Sequence, residues 1–231
     1  MRSVTVSGLA VATIVGGFLG ARSALPAVQQ AIRAPRFHLR AIDWVGTRAL
    51  HPGDLAVLLD LPRSLPLIDV DVDLLAERVR NHPRIERCEG LRIPPDRVMF
   101  RVVERVPVGR ISGASEGFDE SGSRFPLLPD EAERLTPVRG EPSAAIPLLR
   151  ASSGFGLELA SVEVRSATDV RFQVKGSDVV VQIGAEVERA LREWDTLRMA
   201  GVVRRYRPER VDLRSRGNAV LRGLQLEERG G

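Results

Sequence analysis

The sequence DVDLLAERVRNHPRIERCEGLRIPPDRVMFRVVE occupies residues 71–104 and carries the clearest secondary-structure signals in the chain. Asp71 is a typical helix N-cap, because a carboxylate there can accept a hydrogen bond from a first-turn amide. Apolar residues follow it at helical spacing, namely Val72, Leu75, Ala76 and Val79. Asn81-His82-Pro83 ends the helix, since the residue before proline avoids the α region. The pattern predicts a helix with one buried face.

Two strands are expected after this helix. They lie at residues 85–91 and 98–103, and Pro94-Pro95-Asp96 is typical of the turn between them. Cys88 falls on the apolar side of the first strand, so we expect a buried and inert thiol. It is the sole cysteine, which excludes an intramolecular disulfide and a cysteine-based zinc site.

The residues before this stretch predict one more strand and one more helix. Residues 37–45 carry a slightly irregular apolar face and lead into Gly46, as expected of a strand that ends in a turn. Pro52 can open a helix at its first turn, and leucines continue a buried stripe up to Asp60. The predicted order is therefore β-α-α-β-β over residues 37–106.

The second half of the chain is predicted to be rich in strands. A hairpin is expected over residues 117–128, and Ile146-Pro147-Leu148-Leu149 is expected as a short strand, because proline is confined to the edge or the start of a sheet. Further strands are expected at residues 162–164, 170–174, 179–183, 208–213 and 219–226. Apolar residues at helical spacing predict a long helix from Ala185 to Ala200, which Gly201 ends.

The first residues predict a membrane anchor. Residues 3–21 carry no charge, and at a helical rise of roughly 1.5 Å per residue they span almost the ~30 Å of a hydrocarbon core. The apolar surface comes from Val4, Leu9, Val11, Ile14, Val15, Phe18 and Leu19. A cleaved signal peptide is the alternative, but no Ala-x-Ala cleavage site lies around Ala21 to Ala24. More arginines follow the run than precede it, a bias that by itself favours a cytoplasmic C-terminal side.

These patterns together predict an α+β fold class. The expected parts are an N-terminal tail and transmembrane helix at residues 1–22, a stalk at 23–36, a β-α-α-β-β domain at 37–106, a strand-rich domain with one long helix at 107–226 and a disordered tail at 227–231. Apolar residues make up 43% of the chain, which is enough to fill a core in each folded domain.

The charge pattern does not indicate a nucleic-acid surface. Of the 34 basic residues, all except Lys175 are arginines, but they are scattered among 30 acidic residues. The net charge is only +4, whereas a nucleic-acid-binding face needs a concentrated basic stripe. We therefore expect no nucleic-acid partner.

No active site can be assembled from the sequence. The histidines are His38, His51 and His82. None of them shares an i, i+4 spacing with another, and no cysteine joins them, so a zinc site is not expected. The acid pairs Asp71/Asp73 and Asp119/Glu120 fit capping and turn roles. Because catalysis needs converging groups, we expect no enzyme activity, no cofactor and no small-molecule substrate.

Several motifs resemble a POTRA domain. They are Phe37-x-Leu39-x-x-Ile42-x-Trp44-Val45-Gly46, Pro66-Leu67-Ile68-x-x-Asp71, Asn81-His82-Pro83-Arg84-Ile85 and Pro94-Pro95-Asp96-Arg97. The continuation resembles the FtsQ/DivIB family of bacterial cell-division proteins. Its motifs are Glu104-Arg105-Val106-Pro107-Val108, Phe118-Asp119-x-x-Gly122-x-x-Phe125, Ile146-Pro147-Leu148-Leu149, Val181-Gln182-Ile183-Gly184 and Val211-Asp212-Leu213-Arg214.

The resemblance implies a scaffold of the divisome that links early and late division proteins by protein-protein binding. It implies a single-pass protein of the cell inner membrane, with the bulk of the chain in the periplasm and concentrated at the division septum. The implied partners are an FtsB/FtsL-like pair, with an FtsK-like protein as a further candidate. Two other interpretations stay open, namely a POTRA-containing adaptor of secretion or outer-membrane assembly and a secreted periplasmic enzyme.

The last predicted strand is a candidate partner-binding edge, because an exposed strand edge can recruit an extended segment. Little apolar sequence follows it, so no later strand is expected to cover it. The candidate residues are Ser215, Asn218, Ala219, Val220, Leu221 and Arg222. In the FtsQ family this region engages the FtsB/FtsL pair. The alternative interpretation is that Val220 and Leu221 only complete the core of the sheet.

Overall fold

A computed structural model describes residues 33–62 and 64–224 of the chain. These residues form helices and extensive sheets, which confirms the predicted α+β class. They fall into two compact units that divide between Glu104 and Arg105.

The first unit is built on a three-stranded sheet. Its elements in chain order are β1 (Ala41–Val45), α1 (Pro52–Leu59), α2 (Val72–Arg80), β2 (Ile85–Ile93) and β3 (Arg97–Glu104), with short 3-10 turns at Pro35–Phe37 and Leu67–Asp69. Strand β3 lies in the centre, parallel to β1 and antiparallel to β2. The observed order of the main elements is thus β-α-α-β-β.

Local signals account for helix α2. The Asp71 carboxylate accepts a hydrogen bond from the Leu74 amide at 3.1 Å, as expected of an N-cap. The four apolar residues that the periodicity selected, Val72, Leu75, Ala76 and Val79, are all buried. They share a core with Phe100, whose ring stacks on Trp44 at 5.1 Å between centroids.

The first strand is shorter than the sequence predicted. It begins at Ala41, because residues 37–40 form no regular ladder with β3. The His38 amide instead closes a 3-10 turn on the Pro35 carbonyl, and the Leu39 amide bonds the carbonyl of Leu65. These local and cross-loop hydrogen bonds compete with strand pairing, which the apolar pattern alone could not reveal.

The second unit contains the larger sheet. Its elements are β4 (Gly109–Ile111), β5 (Glu116–Phe118), β6 (Arg124–Pro126), α3 (Pro129–Arg134), β7 (Pro137–Arg139), α4 (Pro142–Gly154), β8 (Leu159–Ser166), β9 (Asp169–Val174), β10 (Val180–Ile183), α5 (Val187–Met199), α6 (Val202–Tyr206), β11 (Pro208–Asp212) and β12 (Val220–Leu224). The order across the sheet is β12-β11-β10-β9-β8-β7-β4-β5-β6. Within the described residues, β12 and β6 therefore form its two edges.

One face of this sheet carries the core of the second unit. Leu148 of α4 and Leu191 and Trp194 of α5 are buried together with strand residues such as Phe172 and Val211. The predicted long helix at residues 185–200 corresponds to α5. The opposite face of the sheet has no helix of comparable length among the elements given above.

The prediction of a strand at Ile146–Leu149 was wrong, because these residues lie inside helix α4. Pro142 opens this helix, in the position where a missing amide costs least. Ala145, Leu148 and Ser152 are buried at helical spacing, so burial of this face outweighs the hydrogen bond lost at Pro147. The rule that confines proline to sheet edges was applied to a segment that is not in a sheet.

The predicted membrane anchor, Val4, Leu9, Val11, Ile14, Val15, Phe18 and Leu19, lies outside the described residues, and so do most of the predicted stalk and the tail at 227–231. Across residues 33–62 and 64–224, no helix combines the length and the apolar character needed to cross a bilayer.

Candidate functional site

Strand β12 pairs on one side only within the part of the chain that the structure describes. It runs antiparallel to β11, with Val220 opposite Asp212, Leu221 opposite Val211 and Arg222 opposite Arg210. Its other side faces no described strand. A strand edge that is unpaired in this way can accept an added strand.

The structure places the six predicted edge residues in one continuous region. Val220, Leu221 and Arg222 lie within β12, as predicted. Ser215, Asn218 and Ala219 precede the strand, in the loop of residues 213–219 that connects β11 to β12. This segment is called the β11–β12 loop below. The six residues thus span both the loop and strand β12, and their role in partner binding stays a prediction.

The two faces of β12 have different roles. Leu221 packs against the buried core of the second unit, so for this residue the alternative interpretation holds. Val220 and Leu224 point to the other face and are each 47% exposed. Val220 is thus an apolar side chain on an edge strand that the core of its own unit does not bury.

The β11–β12 loop is fixed to helix α5 by ion pairs. Arg216 Nη2 donates to Glu186 Oε1 at 2.6 Å. Arg189 bonds Glu186 and Glu193 and also donates to the Leu213 carbonyl at 3.1 Å. Hydrogen bonds from Arg216 and then Arg189 lower the pKa of Glu186 to about 2. The cluster remains charged near neutral pH and holds the entry to β12 in place.

A further ion pair fixes the end of β11. Arg214 donates through Nη2 to Asp212 Oδ2 at 2.7 Å and through Nε to Oδ1 at 3.0 Å. These bonds hold the pKa of the Asp212 carboxyl below its usual range, against the opposing effect of burial. The Asp212-Leu213-Arg214 segment, which is part of the motif at residues 211–214, thus carries a structural ion pair next to the edge strand.

An open groove of about 950 Å³ lies between helices α4 and α5. Its walls are partly apolar, with Ile146 and Phe155 on one side and Val187 on the other. Arg216 of the β11–β12 loop also lines it. The groove is therefore contiguous with the region that leads into the candidate edge.

The sequence reasoning missed the ion-pair cluster around Glu186. Part of the cluster could have been predicted, because Arg189 lies three residues after Glu186 and four before Glu193. Such spacings place side chains next to each other on a helix. The contact with Arg216 spans 30 residues and depends on the path of β11, which no local pattern encodes.

The histidines serve local hydrogen bonding. His51 caps α1 by accepting from the Gly53 amide at 3.1 Å, and His38 contacts Ser64 Oγ at 2.8 Å. Burial and the nearby Arg84 lower the pKa of His82. Among the described residues, no group of three His, Cys, Asp or Glu side chains comes together to hold a metal ion.

Cys88 lies in the core of the first unit, as predicted. Its side chain is buried among the residues of the core formed by α1, α2 and the sheet. Burial raises the pKa of the thiol to about 11. The thiolate that thiol chemistry requires is therefore absent near neutral pH.

Relatives of known name place this chain in a family. A stretch of 153 residues, 64% of the chain, is 31% identical to the Cell division protein FtsQ of Streptomyces griseus and spans 71% of that protein. The chain belongs to the FtsQ family. The resemblance inferred from the motifs is thereby confirmed. Proteins of the same name from Streptomyces venezuelae and Myxococcus fulvus are 31% and 27% identical over 132 and 169 residues.

The chain matches only part of the length of some relatives. The chain spans only 48% of the Streptomyces venezuelae relative and 60% of the Myxococcus fulvus relative. No family model matches the chain.

Proposed function

We propose that this FtsQ-family chain is a non-enzymatic scaffold of the divisome, which links early and late division proteins at the septum by protein-protein binding. Its membership of the family supports the role in cell division. The open edge at β12 supports the mode of action, and this is the observation that carries the proposal.

In this proposal an extended segment of a partner adds to β12 as a further strand. Main-chain hydrogen bonds supply affinity, and side chains at alternate positions supply selectivity. The anchoring of the β11–β12 loop by Arg216 and Arg189 favours binding, because a strand that is already in place loses little conformational entropy on docking. The FtsB/FtsL-like pair is the partner that the family resemblance favours, and an FtsK-like protein is a second candidate.

The two edges of the sheet differ in a way that supports β12 as the docking edge. Strand β6 spans Arg124–Pro126, and its proline lacks an amide for a ladder hydrogen bond. Short edge strands and prolines are devices that prevent edge-to-edge pairing. Strand β12 spans Val220–Leu224, contains no proline and exposes apolar side chains at both of its ends.

The first unit contributes a second binding module in this proposal. Its β-α-α-β-β order and small mixed sheet are consistent with a POTRA domain over residues 37–106, followed by the FtsQ-type β domain over residues 107–226. Residues 1–22 would anchor the chain in the inner membrane and residues 23–36 would form a stalk. Confinement to one membrane raises the effective concentration of partners that share it.

Depletion in the native bacterium tests the proposal. Cells that lose the protein are expected to grow as filaments without septa, and a fluorescent fusion of the full chain is expected at midcell. Normal septation after complete depletion would contradict a role in division. A protein that supports septation without any partner bound to β12 would contradict the mode of action alone.

A further inference from the structure

Two arginines face each other across strands β11 and β12. Arg210 and Arg222 occupy directly opposite positions in the antiparallel ladder. Side chains at such positions project from the same face with their Cβ atoms roughly 4.5–5.5 Å apart, and like charges there are destabilising. The pair therefore places two positive charges side by side at the edge of the sheet.

No carboxylate lies in the same row of the sheet. The row continues from Arg210 through Val180 of β10 and Gln173 of β9 to Ser161 of β8. Within the described residues neither guanidinium has a hydrogen bond or an ion pair, and the Arg210 Nε atom is buried without an acceptor. The two arginines therefore have no carboxylate in their own row of the sheet.

The acids nearest in the ladder do not fill this role. Asp212 lies on the same face, two residues from Arg210, and Arg222 adds a minor contribution to lowering its pKa. However, Arg214 already donates to both of its oxygens, through Nε to Oδ1 and through Nη2 to Oδ2. Glu209 is adjacent to Arg210 along the strand, and alternation directs its side chain to the opposite face.

We propose that the strand recognised by β12 carries a carboxylate, Asp or Glu, at the position opposite Arg222. This inference rests on the proposed function, in which β12 is the docking edge. A residue opposite Arg222 on an added strand would extend the row of Arg210 and Arg222 and supply the anion that the row lacks. Complementary charges of this kind select partners and fix the register of the added strand.

The neighbours of Arg222 extend the recognition pattern. Val220 and Leu224 lie two residues to either side of it, on the same face, and are each 47% exposed. Apolar side chains opposite them would remove this surface from water. The preferred segment is therefore an extended stretch with an acidic residue flanked at both i−2 and i+2 by apolar residues.

Selection from a displayed random peptide library, with the full-length chain as bait, tests this inference. Wild-type protein is expected to enrich peptides with Asp or Glu between apolar residues at i−2 and i+2. The variant Arg222→Glu is expected to enrich Lys or Arg at the central position. The variant Arg204→Glu is a matched control, because it reverses an exposed arginine of α6 outside the edge, and it is expected to select the wild-type pattern.

A charge swap quantifies the contact. A selected acidic peptide should bind Arg222→Glu about three- to tenfold more weakly than wild type, and its Glu→Lys version should bind wild type more weakly by a similar factor. Combining the two changes should restore affinity. Because Arg222 is exposed, circular dichroism of Arg222→Glu is expected to match that of wild type.

The outcomes separate this inference from the proposed function. Peptides that lose binding on Val220→Lys, but show no preference for an acid, would overturn the charge inference and leave the docking edge in place. If no selected peptide depends on Val220, both the docking edge and the charge inference fall.

Discussion

Arg105 Nη1 lies 2.6 Å from Asp119 Oδ2 and ties the first residue of the second unit to the β5–β6 hairpin. Asp119 also accepts hydrogen bonds from the amides of Ser121 and Ser123 and from the Ser121 hydroxyl. The buried Asp119 carboxylate thus holds together the turn that connects the buried residues Phe118 and Phe125.

Replacing Asp119 with Asn should destabilise the second unit. The change removes a charge-assisted pair and converts an acceptor oxygen to a donor, at an expected cost of about 2–3 kcal/mol in the free energy of unfolding. Urea unfolding followed by Trp194, which is buried in this unit, measures the effect. Glu120→Gln is the matched control, because its ion pair with Arg150 is exposed and should matter little.

The stability of the second unit should also depend on pH through Asp119. Burial opposes ionisation, but hydrogen bonds from Ser121, Arg105 and Ser123 outweigh it and lower the pKa of this carboxyl. A lowered folded-state pKa contributes stability above the unfolded-state value of about 3.9 and loses it as pH falls through the folded value. Wild type should therefore lose more stability in acid than Asp119→Asn. Parallel pH profiles for the two proteins would contradict this assignment.

Cys88 should report the opening of the first unit. With its pKa raised to about 11, the thiol stays neutral in the folded state and should resist a thiol reagent at pH 8. The stabilising effect of burying the neutral thiol is complete below the unfolded-state pKa and is lost as pH rises toward 11. Denaturant should make labelling fast. Rapid labelling of the native chain would show that this core is not closed.

Glu104→Gln should destabilise the first unit. The Glu104 carboxylate accepts from the amides of Arg48, Ala49 and Leu50 at 2.7, 2.9 and 3.1 Å. An amide side chain cannot replace both oxygens, so the expected loss is about 1.5–3 kcal/mol. Cys88 labelling in a urea series measures it, with the exposed Glu86→Gln on β2 as the control. Equal unfolding midpoints for the two variants would mean that the Glu104 contacts contribute nothing.

The sequence predicted those features that depend on neighbouring residues. Helix α2 follows from its cap and its apolar spacing, and the existence of β12 follows from an apolar stretch after the Asp212-Leu213-Arg214 segment. Among the described residues, β12 is the terminal strand of its sheet.

Features that depend on the path of the chain could not be predicted. The register that sets Arg222 against Arg210 is fixed by the length of the β11–β12 loop and by the burial of Leu221 beside Val211. The contact between Glu186 and Arg216 joins residues that are 30 positions apart. Helix α4 was missed because its proline suggested a strand edge, whereas burial of Ala145 and Leu148 decides its conformation.

The most direct test of the account replaces Val220 with Lys in the full-length protein and measures capture of the FtsB/FtsL-like pair. Lysine is a natural means of blocking strand addition, and here it would face Asp212 across the ladder, so the domain should stay folded. Met199→Lys is the control, because this exposed methionine lies at the end of α5, outside β12. We predict that Val220→Lys weakens capture by roughly tenfold or more, while Met199→Lys binds as wild type does. Equal capture by both variants would contradict strand addition at β12.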